Sequence, residues 1–460
     1  MAHILSDDLL YAIFLHSLPS TFLFTKTGLS SKVWADPPPP PFSFSLVCRS
    51  WRNVVLSRPK LWSDMNIVST FKATEEHHNS AIERIIKQWL TNSREAPLQI
   101  HLNIQGDRLG HTANLLLPLL LNEAHRWRAF GMYIVVSVPL DPEMFTLQCL
   151  PPLTSLSLDI WSSSFPLGRV DLSGFISNTD SNLEYLSMGL STSVILPPNR
   201  HALRLPNLRS LHYRIKNGTG DLVCILFACP NLEELEIKIL ERTLTTTNLM
   251  PNSIHLPRLL SLTMEISSRL SANYLLGTLS CPSLRAFSFF CDRPIQSQLF
   301  GECASIEPRR IRNFLTRSCA NPPLEKLNLG MYNPNPEFAV ASDLPEALED
   351  LFFSLKSLKS LELQGLLVTR EIVGALTIPD GVSLQSQPCL SLDNLRLTTF
   401  FYGDVTEDML EELIVSRWRA GSLGAITFSF PGFGGLHKRA RILDCSNEGL
   451  KVVNVSDRFR

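Results

Sequence analysis

The chain has 460 residues, of which 44% are hydrophobic, and its formal net charge is -1. A mean hydropathy of +0.08 excludes a typical membrane protein. The longest apolar runs, Leu115 to Leu121 and Ile134 to Val138, are too short to span a bilayer. Balanced charge gives no long-range field for nucleic acid or an anionic membrane. We expect a soluble protein of the cytosol or nucleus, because the acidic N-terminus is unlike a signal peptide.

The N-terminal stretch has the pattern of a small helical docking module. Apolar side chains recur at helical spacing behind a Ser6 and Asp7 start signal, and Pro19 ends this first helix. A second helical stripe runs from Leu46 to Leu56. Pro59 breaks it before a Leu61 and Trp62 anchor.

These segments resemble an F-box, which has an acidic Leu-rich helix ending in Leu-Pro, a Leu-Val-Cys-x-x-Trp helix and a Pro-x-Leu-Trp turn. Two features depart from that pattern: Ser6 replaces the usual Pro, and residues 20–43 are inserted between the helices. The resemblance implies docking on a Skp-type adaptor and, through it, on a cullin. The implied contacts are Leu5, Leu9, Leu10, Ile13, Phe14, Leu18, Pro19, Leu46, Val47, Trp51, Leu61 and Trp62. The alternative is an ordinary two-helix hairpin whose aromatic residues are simply core.

The insert, Ser20 to Ser43, carries five consecutive prolines, which favour an extended conformation and cannot be helical. We therefore predict that it loops out, poorly ordered and dispensable. Phe22, Leu23, Phe24 and Trp34 could instead pack on the rest of the chain or extend the first helix.

Helix and strand patterns alternate after the docking module. Residues 81–90 and 112–124 have helical apolar stripes, and Leu98 to Ile104 alternates as a half-buried strand. From Leu153 onward, apolar residues recur at i, i+3 and i+5, and Trp127/Phe130/Met132 is a degenerate earlier copy. The full copies start at Leu153, Leu183, Leu208, Leu232, Leu259, Leu284, Leu324, Leu358, Leu392 and Leu423.

Such repeats predict an α/β fold, a curved leucine-rich-repeat solenoid with a parallel sheet and outer helices. Its irregular intervals resemble the repeats of fungal-type F-box receptors. Return helices are predicted at residues 221–228, 308–317, 345–355 and 407–417. The predicted domains are residues 1–68 (F-box-like), 69–150 (linker helix and degenerate repeats), 151–435 (solenoid) and 436–460 (a cap with edge strands at 441–443 and 450–455).

The sequence carries no motif of a catalytic or metal site, such as a nucleophile elbow, a P-loop or a Cys-x-x-Cys pair. We therefore predict a non-catalytic protein without cofactor or metal. The cysteines follow the repeats, as in Cys229-Pro230 and Cys281-Pro282, and are interpreted as small buried hydrophobes.

If i+3 and i+5 point into the core, the residues at i+2, i+4 and i+6 form the open concave face. Their mixed charge favours a protein ligand over a polyanion. We expect a substrate to contact Tyr185, His212, Arg214, Glu236 and Phe290. Two alternatives stay open: these side chains are merely a solvated face, or the insertions between Phe290 and Leu324 bind the substrate.

Two classes of function follow. The first is the substrate-recognition subunit of a cullin-RING (SCF-type) ubiquitin ligase. The second is a leucine-rich-repeat scaffold or recognition protein that is not attached to a ligase. The exposure of six side chains distinguishes the two classes. If these side chains face solvent in the isolated chain, they would need a partner, whereas buried ones would not. They are Leu9, Ile13, Phe14, Leu46, Val47 and Trp62.

Overall fold

Parallel strands alternate with helices along the chain, so the predicted α/β class is confirmed. In the computed structural model these elements form two units, Met1–Asn217 and Gly218–Arg460. The structure describes residues 5–18, 22–24, 40–69, 76–105, 110–136, 152–162, 170–171, 182–190, 194–195, 203–215, 220–239, 253–267, 269–292, 307–318, 323–332, 344–365, 367–379, 388–389, 391–399, 404–430 and 432–455.

The first unit starts with helices and continues as a sheet. Its described helices are α1 (Asp7–Ser17), α2 (Phe42–Val47), α3 (Arg49–Ser57), α4 (Glu76–Ser93) and α5 (Gly110–Leu121). A 3-10 turn, Pro59–Trp62, follows α3. The strands are β1 (Phe22–Phe24), β2 (Asp64–Ser69), β3 (Leu98–Gln105), β4 (Trp127–Val136), β5 (Ser155–Ser162), β6 (Val170–Asp171), β7 (Tyr185–Leu190), β8 (Val194–Ile195) and β9 (Ser210–Ile215).

The second unit repeats strand and helix. Its described strands are β10 (Glu234–Ile239), β11 (Ile254–His255), β12 (Ser261–Ile266), β13 (Leu279–Ser280), β14 (Ala286–Asp292), β15 (Lys326–Tyr332), β16 (Ser360–Gly365), β17 (Asn394–Thr398), β18 (Ala425–Ser429) and β19 (Lys451–Asn454). The helices are α6 (Gly220–Ala228), α7 (Arg269–Thr278), α8 (Pro308–Ser318), α9 (Leu344–Ser354), α10 (Arg370–Leu376), α11 (Glu407–Arg419) and α12 (Ala440–Asn447).

Each unit has a parallel sheet whose strands lie in chain order. The order is β1-β2-β3-β4-β5-β7-β9 in the first unit and β10-β12-β14-β15-β16-β17-β18-β19 in the second. Short parallel pairs, β6 with β8 and β11 with β13, lie outside these sheets. Chain order with parallel pairing is what stacked strand–helix repeats produce, because no single unit can bury its own apolar face.

The repeat residues form the core, as predicted. In each full copy from Leu153 onward the residues at i, i+3 and i+5 are buried, and Trp127, Phe130 and Met132 are buried in the same way. Register keeps them aligned: Leu262 pairs with Leu235 on one side and with Phe287 on the other. The i+3 and i+5 positions therefore form continuous apolar rows beneath each sheet.

A turn of constant form leads into most described repeats. The N–H of the leading leucine donates to the carbonyl three residues earlier, as in Leu259 to Leu256 at 3.3 Å and Leu284 to Cys281 at 3.2 Å. Proline often occupies the next position, where its fixed φ suits a type I turn. Cys229, Cys281 and Cys389 thus take the place that leucine has in other repeats, and all three are buried. Burial raises the pKa of the Cys281 and Cys389 thiols to about 12, so both stay protonated.

Three arginines join the end of one helix to the next repeat; Arg126 and Arg417 are buried, whereas Arg317 is exposed. Arg126 donates to the Leu90 carbonyl near the end of α4 at 3.3 Å, and Arg317 donates to the Leu276 and Leu279 carbonyls at 2.6 and 2.7 Å. Arg417 donates to the carbonyls of Leu376, Pro388 and Cys389 at 2.6, 3.0 and 3.2 Å. The last carbonyls of a helix lack intrahelical donors, so a guanidinium that donates to Leu90, Leu276 or Leu376 satisfies such a carbonyl and places a positive charge at the helix end.

The N-terminal region differs from the prediction at the insert and at the second helix. Phe22–Phe24 does not loop out but pairs with Ile67–Ser69 at the edge of the sheet. The residues 25–39 lie outside the described residues. The predicted helix from Leu46 to Leu56 is two helices, because Cys48 takes an extended conformation with φ -159° and ψ 173°.

The cap also differs from the prediction. Residues 441–443 are not an edge strand but lie in α12, whose buried Ile442 and Cys445 stand one helical turn apart. The predicted second edge strand is confirmed as β19, which pairs with β18. The structure also contains elements that the repeat pattern does not predict: β2, α7 and α10.

Candidate functional site

The three N-terminal helices pack around Phe14, which is fully buried in α1. Its ring stacks on Phe44 of α2 at 4.6 Å between centroids and meets Trp51 of α3 edge-on at 4.8 Å. An ion pair from Arg58 to Asp8 at 2.5 Å also holds α1 in place. Phe14 is therefore a buried packing residue in the isolated chain, as the two-helix-hairpin alternative expects, and its implied contact with an adaptor stays a prediction.

Two tryptophans attach these helices to the following sheet. Trp62 and Trp89 of α4 meet edge-on at 5.6 Å, and Phe42 of α2 packs on both rings. The Trp89 indole N–H donates to the Trp62 carbonyl at 2.7 Å, while the Trp62 indole donates to the Val55 carbonyl at 2.9 Å. Both indoles are buried, so Trp62 belongs to the core of the isolated chain, and its implied contact with an adaptor stays a prediction.

Other predicted contact residues do face solvent. Leu5, Leu9 and Ile13 are 45%, 56% and 47% exposed, and they follow one another at i, i+4 and i+8 along α1 and the residues before it. Leu46 and Val47 at the end of α2 are 64% and 59% exposed. We call these five residues the apolar patch. Leu5 precedes α1, and the other four lie on α1 and α2, which pack together through Phe14 and Phe44.

The remaining predicted adaptor contacts that the structure describes are buried or half-buried. Leu10 and Leu61 are buried with Phe14 and Trp62, and Leu18 and Trp51 are half-buried. Pro19 lies outside the described residues. Periodicity could not separate these two sets, because an apolar stripe at helical spacing has the same pattern whether it faces a core or a partner.

On the open face of the first sheet, strand register aligns side chains into rows, two of which contain predicted substrate residues at their ends. The row that ends at Arg214 runs from Tyr133 on β4 through Asp159 on β5 and Gly189 on β7. The neighbouring row contains Gly131, Ser157, Ser187 and His212. The central residues Ser157, Ser187 and Gly189 are small, so their side chains extend only a short distance above the backbone of the sheet.

The predicted substrate residues of the first unit lie on this open face. Tyr185 and His212 are half-buried, and their rings lie 5.3 Å apart. Arg214 reaches across Gly189 toward Asp159, with 3.9 Å between Nη1 and Oδ2. The structure therefore brings Tyr185 and His212 into contact. It pairs Arg214 with Asp159, which is not among the predicted substrate residues.

Asp159 is the most unusual group on this face. The Trp161 indole N–H donates to its Oδ1, and its carboxylate lies over Gly189. Burial raises the pKa of Asp159, although the hydrogen bond from Trp161 and the charge of Arg214 act to lower it. The strand register could not be read from sequence, so Gly189 and Asp159 were not identified as neighbours.

Replacing Gly189 by alanine should destabilise the first unit. The added Cβ would lie 2.8 Å from Asp159 Cγ, so the carboxylate would have to leave Trp161. We expect a loss of about 1–2 kcal/mol in the free energy of unfolding, measured by chemical denaturation. The matched control is Gly277→Ala in α7, where the new Cβ would have no atom within 4 Å apart from its chain neighbours and the backbone of its own helix. Equal stability of both variants would contradict this packing.

Glu236 and Phe290 lie on the open face of the second sheet. Glu236 is on β10 and Phe290 on β14, with β12 between them, and both are half-buried. Phe290 lies between Glu265 and Gly330 in register. The charged neighbours are largely paired, since Lys238 bridges to Glu265 and Arg396 bridges to Glu362 at 3.1 Å. The structure does not bring Glu236 and Phe290 together.

Among the described residues, no group of His, Cys, Asp and Glu side chains could hold a metal ion. The described helices include none that is long and apolar enough to cross a membrane. No protein-family model matches this chain, and no curated protein matches it.

Proposed function

We propose that this chain is the substrate-recognition subunit of an SCF-type ubiquitin ligase, with an F-box that docks on a Skp-type adaptor and leucine-rich repeats that bind a protein substrate. The apolar patch is the observation that carries the proposal. Five apolar side chains that are 45 to 64% exposed in and before α1 and at the end of α2 support a docking surface, because a partner would remove them from water. The F-box resemblance supplies the kind of partner.

The second half of the proposal assigns substrate binding to the open sheet faces. Both faces carry charges of either sign, half-buried aromatic residues and small residues. Such surfaces favour proteins over polyanions, because they offer anchors for side chains without a strong field of one sign. The chain would contribute no catalytic residue; it would raise the local concentration of substrate beside a ubiquitin-loaded enzyme.

The exposed patch supports the ligase proposal over the scaffold alternative, which assigns these side chains no partner. The ligase proposal is tested by affinity purification of the full chain from its own cells, followed by mass spectrometry. We expect a Skp-type adaptor and a cullin to be recovered with it. Absence of both would contradict the ligase proposal and favour a free scaffold.

Point substitutions are better controls for this purification than removal of residues 1–68. Residues 64–68 form most of β2, which pairs with β3 along its whole length. Truncation would therefore open the edge of the sheet and expose its backbone to aggregation. Leu46→Glu changes a side chain that is 64% exposed and leaves this pairing intact.

A further inference from the structure

We infer that the open face of the first unit holds a binding site for a cationic side chain, an arginine or lysine of the substrate, at Asp159. The inference rests on the proposed function, since it names a feature of the substrate that the receptor would bind. It also goes beyond it, because it assigns the ligand's charge and the group that receives it.

The position of Asp159 gives the first reason. Its side chain is 24% exposed on the open face of β5, flanked by aromatic residues. Trp161 stands two residues further along the same face and donates to Oδ1, and Tyr133 is paired with Asp159 in register on β4. A cation held by this carboxylate would lie near two aromatic side chains, a residue type whose ring face attracts positive charge.

Incomplete charge compensation gives the second reason. The nearest described cation, Arg214, belongs to a strand two positions away and stops 3.9 Å from the carboxylate. Its side chain is 44% exposed, so water screens the attraction. Burial accordingly outweighs both favourable neighbours and leaves the pKa of Asp159 raised. A substrate cation that approached from solvent would supply the close partner that Arg214 does not.

Space for the incoming side chain gives the third reason. Next to Asp159 in the neighbouring row stand Ser157 and Ser187, whose small side chains let another chain approach the sheet. The competing possibility is an acidic substrate group held by Arg214, whose side chain is 44% exposed. The two possibilities predict opposite effects of the same substitutions.

The test compares three blocked tripeptides, Ac-Ala-X-Ala-NH2 with Arg, Gln or Glu at X, titrated into the full chain. The readout is the NMR signal of the Trp161 indole N–H, assigned from its loss in Trp161→Phe. We expect the Arg peptide to bind about tenfold or more tightly than the Gln peptide, and the Glu peptide most weakly. Asp159→Asn, which keeps the side-chain shape, should remove the preference for Arg.

Arg214→Gln should strengthen binding of the Arg peptide severalfold, because it removes the competing internal cation. A preference for the Glu peptide that Arg214→Gln abolishes would overturn the inference, as would equal binding of all three peptides. Adaptor binding is measured on the same variants. Retained adaptor binding with no peptide preference would overturn this site alone, whereas loss of the adaptor from wild-type protein would overturn the proposed function.

Discussion

Replacing Leu9 and Ile13 together by glutamate should abolish binding of a Skp-type adaptor while leaving the chain folded. Both side chains are about half exposed, so their change costs little in the free energy of unfolding. Each apolar side chain that an interface buries contributes about 1.5–3 kcal/mol. The double substitution should therefore weaken binding by at least about 100-fold, and two unpaired carboxylates at the interface would add to the loss.

The measurement is the affinity of purified adaptor for the wild-type chain and the variant, by calorimetry or surface plasmon resonance. Leu270→Glu is the matched control, because Leu270 is 54% exposed but lies on α7 of the second unit. We expect the control to bind as the wild type does. If the Leu9 and Ile13 double variant also kept wild-type affinity, the apolar patch would not be the docking surface.

Replacing Arg417 by methionine should destabilise the second unit strongly. The guanidinium is fully buried and donates to the carbonyls of Leu376, Pro388 and Cys389. Methionine fills a similar volume but leaves these acceptors without a donor, at a cost of about 1–3 kcal/mol for each group that water cannot reach. We expect a loss of about 3–6 kcal/mol in the free energy of unfolding, measured by chemical denaturation.

Arg396→Met is the control for this substitution. Arg396 is half-exposed on the open face and pairs with Glu362, and such surface pairs contribute about 0–1 kcal/mol. Arg417→Lys should fall between the two, because it keeps the charge without the planar fork that reaches separate carbonyls. A loss below about 1 kcal/mol in Arg417→Met would show that solvent or relaxation satisfies the three carbonyls.

Much of the core could be predicted because its signal is local. The i+3 and i+5 residues of a strand share one face by geometry, so the triplets beginning at Leu153 identified buried rows directly. The return helices at 221–228 and 407–417 could also be predicted from a local signal, because apolar residues at helical spacing indicate an amphipathic helix. The cysteines followed from their place in the repeat.

The arginine contacts could not be predicted in this way. Arg417 follows apolar residues in α11 and has the pattern of an ordinary last-turn cation. Its partners lie 28 to 41 residues earlier in the chain, so only the fold reveals that it is buried. The same limit applies to Asp159 and Arg214, which register brings together across Gly189.

Strand β1 shows that the proline content of the insert does not predict the structure of every part of it. Five prolines exclude helix from part of the insert, but they say nothing about Phe22–Phe24, which lies well before them. A short apolar segment beside an unpaired edge such as that of β2 gains backbone hydrogen bonds by pairing. The break at Cys48 was missed because the apolar stripe keeps its period through the junction of α2 and α3.

Hydrogen exchange of the full chain, alone and with a purified Skp-type adaptor, tests the docking surface most directly. We expect the adaptor to slow exchange in α1, α2 and α3, which carry and support the apolar patch, and to leave the sheet strands of the second unit unchanged. Absence of a complex, or protection confined to the sheets while these helices exchange as in the free chain, would contradict the proposal that the patch docks on the adaptor.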